Sequence, residues 1–164
     1  MTKPSGIKYL GFGYWKGNRT NQWKARVHET SFKRFKNKIK KLTTRKRSVS
    51  LEYRIKKINE VIRGWINYFK IASMKSKLKG FSEHLRTRLR IIFWKMWKVS
   101  KKRQWALMKM GIIKDQARLT AYCGNRYYFV ATKTCLVRAI TKKRLSKTGL
   151  IDPYDYYISR ACVN

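Results

Sequence analysis

The sequence predicts a mostly α-helical bundle preceded by a short β-hairpin. Apolar residues recur at helical spacing over most of the chain after residue 30, whereas the stretch before it combines β-forming residues with turn formers. Hydrophobic residues make up 43% of the chain and aromatic residues 14%, which is enough for a packed core. A length of 164 residues suits one domain, or one domain with a small appendage.

Two β-forming stretches open the chain. Segment 7–15 is rich in β-formers, segment 22–27 alternates less regularly, and the residues at 16–21 between them are dense in turn formers. Gly11 and Gly13 weaken the first strand, so its register stays open. The pattern therefore predicts a hairpin.

Two amphipathic helices are predicted next. The first follows Thr30 or Ser31 as its N-cap, and its apolar stripe consists of Phe32, Phe35, Ile39 and Leu42. After a basic loop at 43–48, Ser50 opens a long helix that reaches about Ala72. The apolar stripe of this long helix consists of Leu51, Ile55, Ile58, Ile62, Trp65, Ile66 and Phe69.

A third helix is predicted at 82–98, after a second basic connection at 75–80. Its inward residues are Leu85, Leu89, Ile92, Phe93 and Met96. Ser100 is expected to cap a shorter helix that ends at Gly111, because glycine commonly follows the last helical residue.

Shorter elements are expected in the rest of the chain. Asp115 can cap a helix that stops before Gly124, and segment 127–130 is short, apolar and aromatic. A further helix is predicted at 132–147, and residues 152–157 could form a last turn of helix. These elements complete the predicted bundle.

The net charge is the strongest indication of function. The chain has 42 Lys and Arg residues against 7 Asp and Glu, so its formal net charge is +35. Such a charge repels itself in a compact state, and the release of counterions from a phosphate backbone would favour binding to nucleic acid. An anionic membrane surface is the competing partner. We disfavour it because aromatic residues are interleaved with the basic ones and no apolar run could span a bilayer.

Other functional classes find little support in the composition. Three cysteines form no paired spacing, and two histidines are too few for a metal or general-base site. The segment 1–6 is charged but has no apolar stretch, so we expect a protein that is not secreted, in a bacterial cytoplasm or an organellar matrix or stroma.

The acidic residues do not suggest catalysis. Metal-assisted phosphoryl transfer needs clustered carboxylates, and the seven acids here are scattered. Glu52 suits the first turn of a helix, and a structural role is favoured for Asp152 and Asp155. We therefore expect no catalytic residue, no metal ligand and no protein-bound cofactor, and the chain by itself is not expected to be an enzyme.

Two positions within the helices attract attention. Gly64 lies inside the long helix, where glycine costs about 1 kcal/mol relative to alanine. Either a neighbouring helix or a nucleic-acid backbone could require the close approach that glycine allows. Trp65 projects onto the apolar stripe and is expected in the core, whereas Arg63 projects away from it.

Trp94 lies opposite the apolar stripe of the third helix. Its neighbours include Arg90 and Lys98, so it is either an exposed platform for base stacking or the contact for a second layer of helix. Both interpretations stay open. The candidate RNA-binding residues are Lys33, Lys40, Lys56, Arg63, Arg86, Arg88, Arg90, Trp94, Lys95, Lys98, Lys101, Lys102, Arg103 and Arg126.

Short motifs follow one another in a set order. They are Arg63-Gly64-Trp65, Asn67-Tyr68-Phe69, Arg88-Leu89-Arg90, Trp94-Lys95, Trp97-Lys98, Gly111-Ile112 and Gly149-Leu150. In this order they resemble the maturase-specific region, or domain X, of group II intron-encoded proteins. The stretch Tyr9-Leu10-Gly11-Phe12 resembles the last reverse-transcriptase motif of the same proteins.

The resemblance implies a domain plan and a partner. Residues 1–29 would end a reverse-transcriptase palm, and residues 30–164 would form the maturase-specific domain, with a thumb of three to four helices at 30–111 and a C-terminal helical extension at 112–164. The fold would then be thumb-like, and the partner would be a group II intron RNA. The protein would help that RNA fold for splicing, while the RNA holds Mg²⁺ and performs the chemistry. Further partners would be the missing reverse-transcriptase part or a second copy.

Two alternatives stay open. The Tyr-Ala-Asp-Asp polymerase motif of the family is absent from this sequence, so the chain could be the C-terminal part of a split or truncated RNA-directed DNA polymerase. It could also be a general basic protein that coats RNA or DNA without intron preference, or a remnant without function.

Overall fold

The computed structural model describes residues 7–16 and 22–161. The predicted turn beyond residue 16, the segment 1–6 and Cys162 lie outside the described residues. Within the described ranges, a two-stranded hairpin precedes nine helices, which confirms the predicted fold class. None of these helices is long and apolar enough to cross a membrane.

The hairpin pairs β1 (Phe12–Lys16) with β2 (Trp23–Val27) in antiparallel register, with Phe12 opposite Val27. The first strand is shorter than predicted because the chain turns just before it, with Gly11 at φ +85°. A Cβ at Gly11 would lie 2.9 Å from the Ser31 hydroxyl, so only glycine fits there. The Phe12 ring lies 4.9 Å from the Phe69 ring and anchors the hairpin on the helices.

The first helix, α1 (Glu29–Leu42), buries Phe32, Phe35 and Ile39 and half-buries Leu42, as its stripe predicts. The predicted cap is wrong. His28 is the N-cap, and its ring accepts a hydrogen bond from the Thr30 amide at 3.2 Å.

The second helix, α2 (Leu51–Phe69), begins as predicted and ends earlier. The Ser50 hydroxyl caps it by accepting a hydrogen bond from the Tyr53 amide at 3.2 Å. Trp65 is half-buried and stacks on Phe35 with 4.3 Å between ring centroids, which places it against the core as predicted.

The third helix, α3 (Lys75–Met96), is longer than predicted. The prediction of a basic connection at 75–80 is wrong, because these residues form the first turns of α3. Leu78 and Phe81 are buried and continue the stripe of Leu85 and Leu89 toward the N-terminus. Gly80 itself is exposed and has a weak helix propensity. The burial of its apolar neighbours outweighs that propensity and keeps the segment helical.

Six shorter helices form the second half of the chain. They are α4 (Ser100–Lys109), α5 (Lys114–Ala121), α6 (Tyr127–Thr132), α7 (Thr134–Ala139), α8 (Lys142–Lys147) and α9 (Pro153–Arg160). Gly111 follows α4 at φ +84°, as predicted. The caps expected at Ser100 and Asp115 are wrong, because Val99 and Ile113 occupy those positions without side-chain capping bonds.

The helix predicted at 132–147 is divided into two helices, α7 and α8, and its first residue, Thr132, instead ends α6. The chain leaves helical geometry at Lys133 and again at Ile140, where Thr141 caps α8 through a hydrogen bond from the Arg144 amide at 3.3 Å. These breaks fold the second half back over α3, which packs against both α6 and α9. The core therefore runs continuously from Val27 to Tyr157.

Candidate nucleic-acid interface

Trp94 lies in the core rather than on a surface. Its side chain is 0% exposed, and its indole Nε1 donates a hydrogen bond to the Gly124 carbonyl at 3.0 Å. The Arg103 guanidinium lies 4.6 Å from the ring centroid. Of the two interpretations left open for Trp94, the exposed stacking platform is therefore wrong, and the contact with a covering second layer is correct.

Three of the predicted RNA-binding arginines serve internal contacts. Arg86 forms an ion pair with Asp152 at 2.8 Å, and the buried Arg90 donates through Nε to the Ile140 carbonyl at 3.2 Å. Burial, together with the neighbouring charge of Arg86, lowers the pKa of Arg90. Arg103 is also buried and donates to the Trp97 carbonyl at 2.8 Å. Arg86 and Arg90 thus tie α3 to later segments, and Arg103 ties α4 to the end of α3 and, through Nη1, to the Gly124 carbonyl at 3.2 Å. Their guanidinium groups make internal contacts and do not form a free cationic surface.

Arg88 has both an internal and a surface role. Its Nε donates to the Thr43 hydroxyl at 2.6 Å and its Nη2 to the Lys40 carbonyl at 3.1 Å, which ties α3 to the end of α1. Burial lowers its pKa. The rest of the half-buried side chain lines two hollows on the surface.

The nine remaining predicted residues are all exposed. Only Lys40, Lys95 and Lys98 line the surface hollows that adjoin α3. The other six line none of these hollows, and they are Lys33, Lys56, Arg63, Lys101, Lys102 and Arg126.

Three hollows adjoin one another along one side of α3, with volumes of about 630, 270 and 230 Å³. The first and second share Arg88, and the second and third share Arg45 and Lys46, so they form one continuous surface. We call this surface the basic track, after its cations Lys36, Lys40, Arg45, Lys46, Arg47, Lys77, Arg88, Lys95 and Lys98. Glu29 is the one carboxylate-bearing residue among those that line the track.

The buried Arg54 holds the central loop of the basic track in place. Its guanidinium donates to the carbonyl oxygens of Leu42, Thr44 and Arg47, the last two at 3.2 and 2.8 Å. Burial, and then the charge of Arg47, lowers the pKa of Arg54. A loop fixed through its own carbonyls loses little freedom when its cations bind a ligand. One feature of the sequence indicates this role: Arg54 is adjacent to Ile55, which belongs to the buried apolar stripe of α2.

Two aromatic residues lie beside the same loop. The Arg45 guanidinium stacks over the Tyr127 ring, 4.3 Å from its centroid. Tyr128 is 67% exposed and lines the second hollow with Arg45 and Lys46. Exposed aromatic rings beside cations provide faces on which nucleobases can stack. Sequence reasoning identified this segment as aromatic but did not place it on a binding surface.

His84 lines the first hollow of the basic track. Partial burial and the nearby charges of Arg88, Lys36 and Lys40 lower the pKa of its imidazole. The neutral form of the ring is therefore favoured in the folded chain, and an anion bound in the hollow would make its protonation easier.

Gly64 faces open space. A Cβ built at this position has nothing within 4 Å, so no described neighbouring helix requires a glycine there. The interpretation based on close helix packing is therefore wrong. Arg63 beside it is exposed, as predicted.

The two C-terminal acids have the structural roles expected of them. Asp152 caps α9 and pairs with Arg86, while Asp155 pairs with Lys142 at 2.6 Å. In the part of the chain that the structure describes, no three His, Cys, Asp or Glu residues come together in a group that could hold a metal ion.

The protein is a basic helical domain. It consists of a hairpin followed by a bundle of helices, and a continuous cationic track crosses the first three helices. Residues 32–111 match the family model of the group II intron maturase-specific domain. No curated protein matches the chain significantly. Every cation of the basic track falls inside the matched segment.

Proposed function

We propose that the chain is the RNA-binding maturase module of a group II intron-encoded protein and helps the intron RNA fold into its splicing-competent form. The observation that carries the proposal is the coincidence of the basic track with the segment that matches the maturase-specific domain. The formal charge of +35 supports a polyanionic partner over the whole chain.

The role of the protein in this proposal is electrostatic and positional. A folding ribozyme brings phosphate backbones close together, and cations of the basic track would neutralise them and release condensed counterions. The loop at 44–47 would meet the RNA already ordered, because Arg54 holds the carbonyls at its two ends, those of Thr44 and Arg47. Mg²⁺ would be held by the RNA, which would also perform the splicing chemistry.

Filter binding over a salt series tests the proposal. The full chain is titrated with a group II intron RNA and with an unrelated structured RNA of equal length. We expect tighter binding to the intron, a log–log salt slope of about 0.7–0.9 per phosphate neutralised, and faster intron splicing at reduced Mg²⁺. Equal affinity for both RNAs at every salt concentration would instead support a general nucleic-acid coating protein.

The hairpin favours a second candidate, in which the chain completes a split RNA-directed DNA polymerase. Trp15 and Trp23 are 37% and 46% exposed, and the register places them on opposite faces of the two-stranded sheet. Exposed indoles on a short sheet would suit contact with a further polypeptide. The test is to search the DNA upstream of Met1 for a reading frame that ends in a polymerase palm, to co-express its product with this chain and to assay DNA synthesis. Absence of such a frame removes this candidate.

A further inference from the structure

A second groove lies between α1 and α2, on the side of α1 away from the basic track. It has a volume of about 630 Å³, and the turn before β1 contributes Leu10 and Gly11 to its lining. Gly64 lies on the α2 side of this groove, with nothing within 4 Å of the position of its missing Cβ. Glycine is unfavourable in the interior of a helix. Gly64 gains no packing contact in return, so the open space beside it is kept at a cost in helix stability.

The groove carries positive charge that the described residues leave largely unpaired. Lys8, Arg34 and Lys38 line it, and no ion pair of the described residues involves them. Glu60 also lines the groove, but its carboxylate pairs with Lys57 at 2.8 Å. The balance of charge in the groove therefore favours an anionic occupant.

Tyr68 supplies a fixed and exposed aromatic face at the same groove. Its hydroxyl donates a hydrogen bond to the Leu10 carbonyl at 3.0 Å, and its ring stacks on Phe12 with 5.8 Å between centroids. The residue is nevertheless 54% exposed. A ring held on one side and open on the other is suited to base stacking, because little freedom remains to be lost on binding.

We propose that the groove between α1 and α2 binds one strand of RNA, whose sugar–phosphate backbone passes over Gly64 while Lys8, Arg34 and Lys38 contact phosphates and Tyr68 stacks on a base. The proposal rests on the proposed function for the class of ligand. It adds a site that shares none of the cations of the basic track.

A neutral substitution tests the site. Gly64→Leu removes no charge but fills the open space over α2, so the strand would be displaced from three cations. We expect fluorescence anisotropy with a labelled single-stranded oligouridylate to show binding weakened by about tenfold or more. The log–log salt slope should fall by roughly 2, since each phosphate contact to a single strand contributes about 0.7. The midpoint of urea unfolding should not fall, because leucine is the better helix former.

Two controls make the result specific. Gln116→Leu places the same side chain on an exposed position of α5, away from the groove, and should leave both affinity and salt slope unchanged. Tyr68→Phe should keep most of the affinity, whereas Tyr68→Ala should lose about fivefold or more. Wild-type affinity and slope in Gly64→Leu would overturn the proposed site while the wild-type chain still binds RNA. Failure of the wild-type chain to bind RNA would instead overturn the proposed function.

Discussion

The Arg86 guanidinium lies 2.8 Å from Asp152 Oδ2, and the other oxygen of the same carboxylate accepts hydrogen bonds from the amides of Tyr154 and Asp155 at 3.0 and 3.3 Å. One side chain therefore pairs with α3 and caps α9. Its side chain is only 7% exposed, so the interaction is shielded from water. This contact joins the segment that matches the maturase-specific domain to the C-terminal helices.

Asp152→Ala is expected to lower the free energy of unfolding by about 2–4 kcal/mol. Loss of an N-cap costs about 1 kcal/mol, and removal of one partner leaves the half-buried Arg86 without its counter-charge. Asp152→Asn should lose less, because an amide oxygen can still cap α9. Urea denaturation measures both variants.

The matched control for this prediction is Asp155→Ala. Asp155 also forms an ion pair, with Lys142, but the two side chains are 55% and 45% exposed. Exposed pairs contribute about 0–1 kcal/mol, so this variant should unfold near the wild-type midpoint. Equal losses in the two alanine variants would contradict the shielded role of Asp152.

Trp94→Ala is expected to destabilise the fold by about 3–5 kcal/mol, since removal of a fully buried indole leaves a large cavity and takes one of two hydrogen bonds from the Gly124 carbonyl, which Arg103 still contacts at 3.2 Å. Trp105→Ala, in α4, should change stability little, because that indole is 60% exposed. Thermal unfolding compares the two. A small loss of stability in Trp94→Ala together with a large loss of RNA affinity would instead support the interpretation of Trp94 as a base-stacking residue.

Helical periodicity predicted those parts of the fold whose apolar stripes are long. The stripes of α1 and α2 lie in the core as expected, because each one buries a face of several turns. Periodicity failed at Gly80 and at Ile140, where tertiary contacts decide whether the helix continues. Burial of Leu78 and Phe81 extends α3 through a glycine, whereas the chain leaves helical geometry at Lys133 and Ile140 inside the helix predicted at 132–147.

The candidate site was harder to predict than the fold. A projection of one helix shows which residues leave its own stripe but not which other helix covers them. Trp94 and Arg90 left the stripe of α3 and were buried by later segments. Arg54 was not among the predicted site residues, and it organises the loop of the basic track by donating to backbone carbonyls that helical periodicity does not identify.

His84 is expected to make stability depend on pH. Partial burial and the charges of Arg88, Lys36 and Lys40 lower its pKa in the folded chain, so the unfolded chain binds the proton more readily. The free energy of unfolding should therefore be unaffected well above pH 6.5 and should fall as the pH is lowered through about 6.5. The charged groups that line the same hollow are Glu29, Lys36, Lys40, Lys77 and Arg88.

Urea unfolding of the wild type and of His84→Gln between about pH 7.5 and 5.5 measures this effect, because the ordinary pKa values of carboxylates lie below that range. The free energy of unfolding of His84→Gln should depend less steeply on pH than that of the wild type. The affinity for RNA should depend on pH in the opposite direction to the stability. A phosphate in the hollow favours the protonated ring, so binding should become tighter as the pH falls. Identical pH profiles for the two proteins would contradict the role of His84.

The basic track should set much of the salt dependence of RNA binding. Lys46 and Lys98 are exposed cations of the track, whereas Lys143 and Lys147 are exposed on α8, outside it. Each double alanine variant lowers the formal net charge of +35 by two, so the long-range attraction for RNA is matched. We expect the log–log salt slope for an intron RNA to fall by about 1.4–1.8 in the track variant and by much less in the α8 variant, because only the first pair would contact phosphates directly. Equal slopes in the two variants would show that net charge alone, and not the track, attracts the RNA.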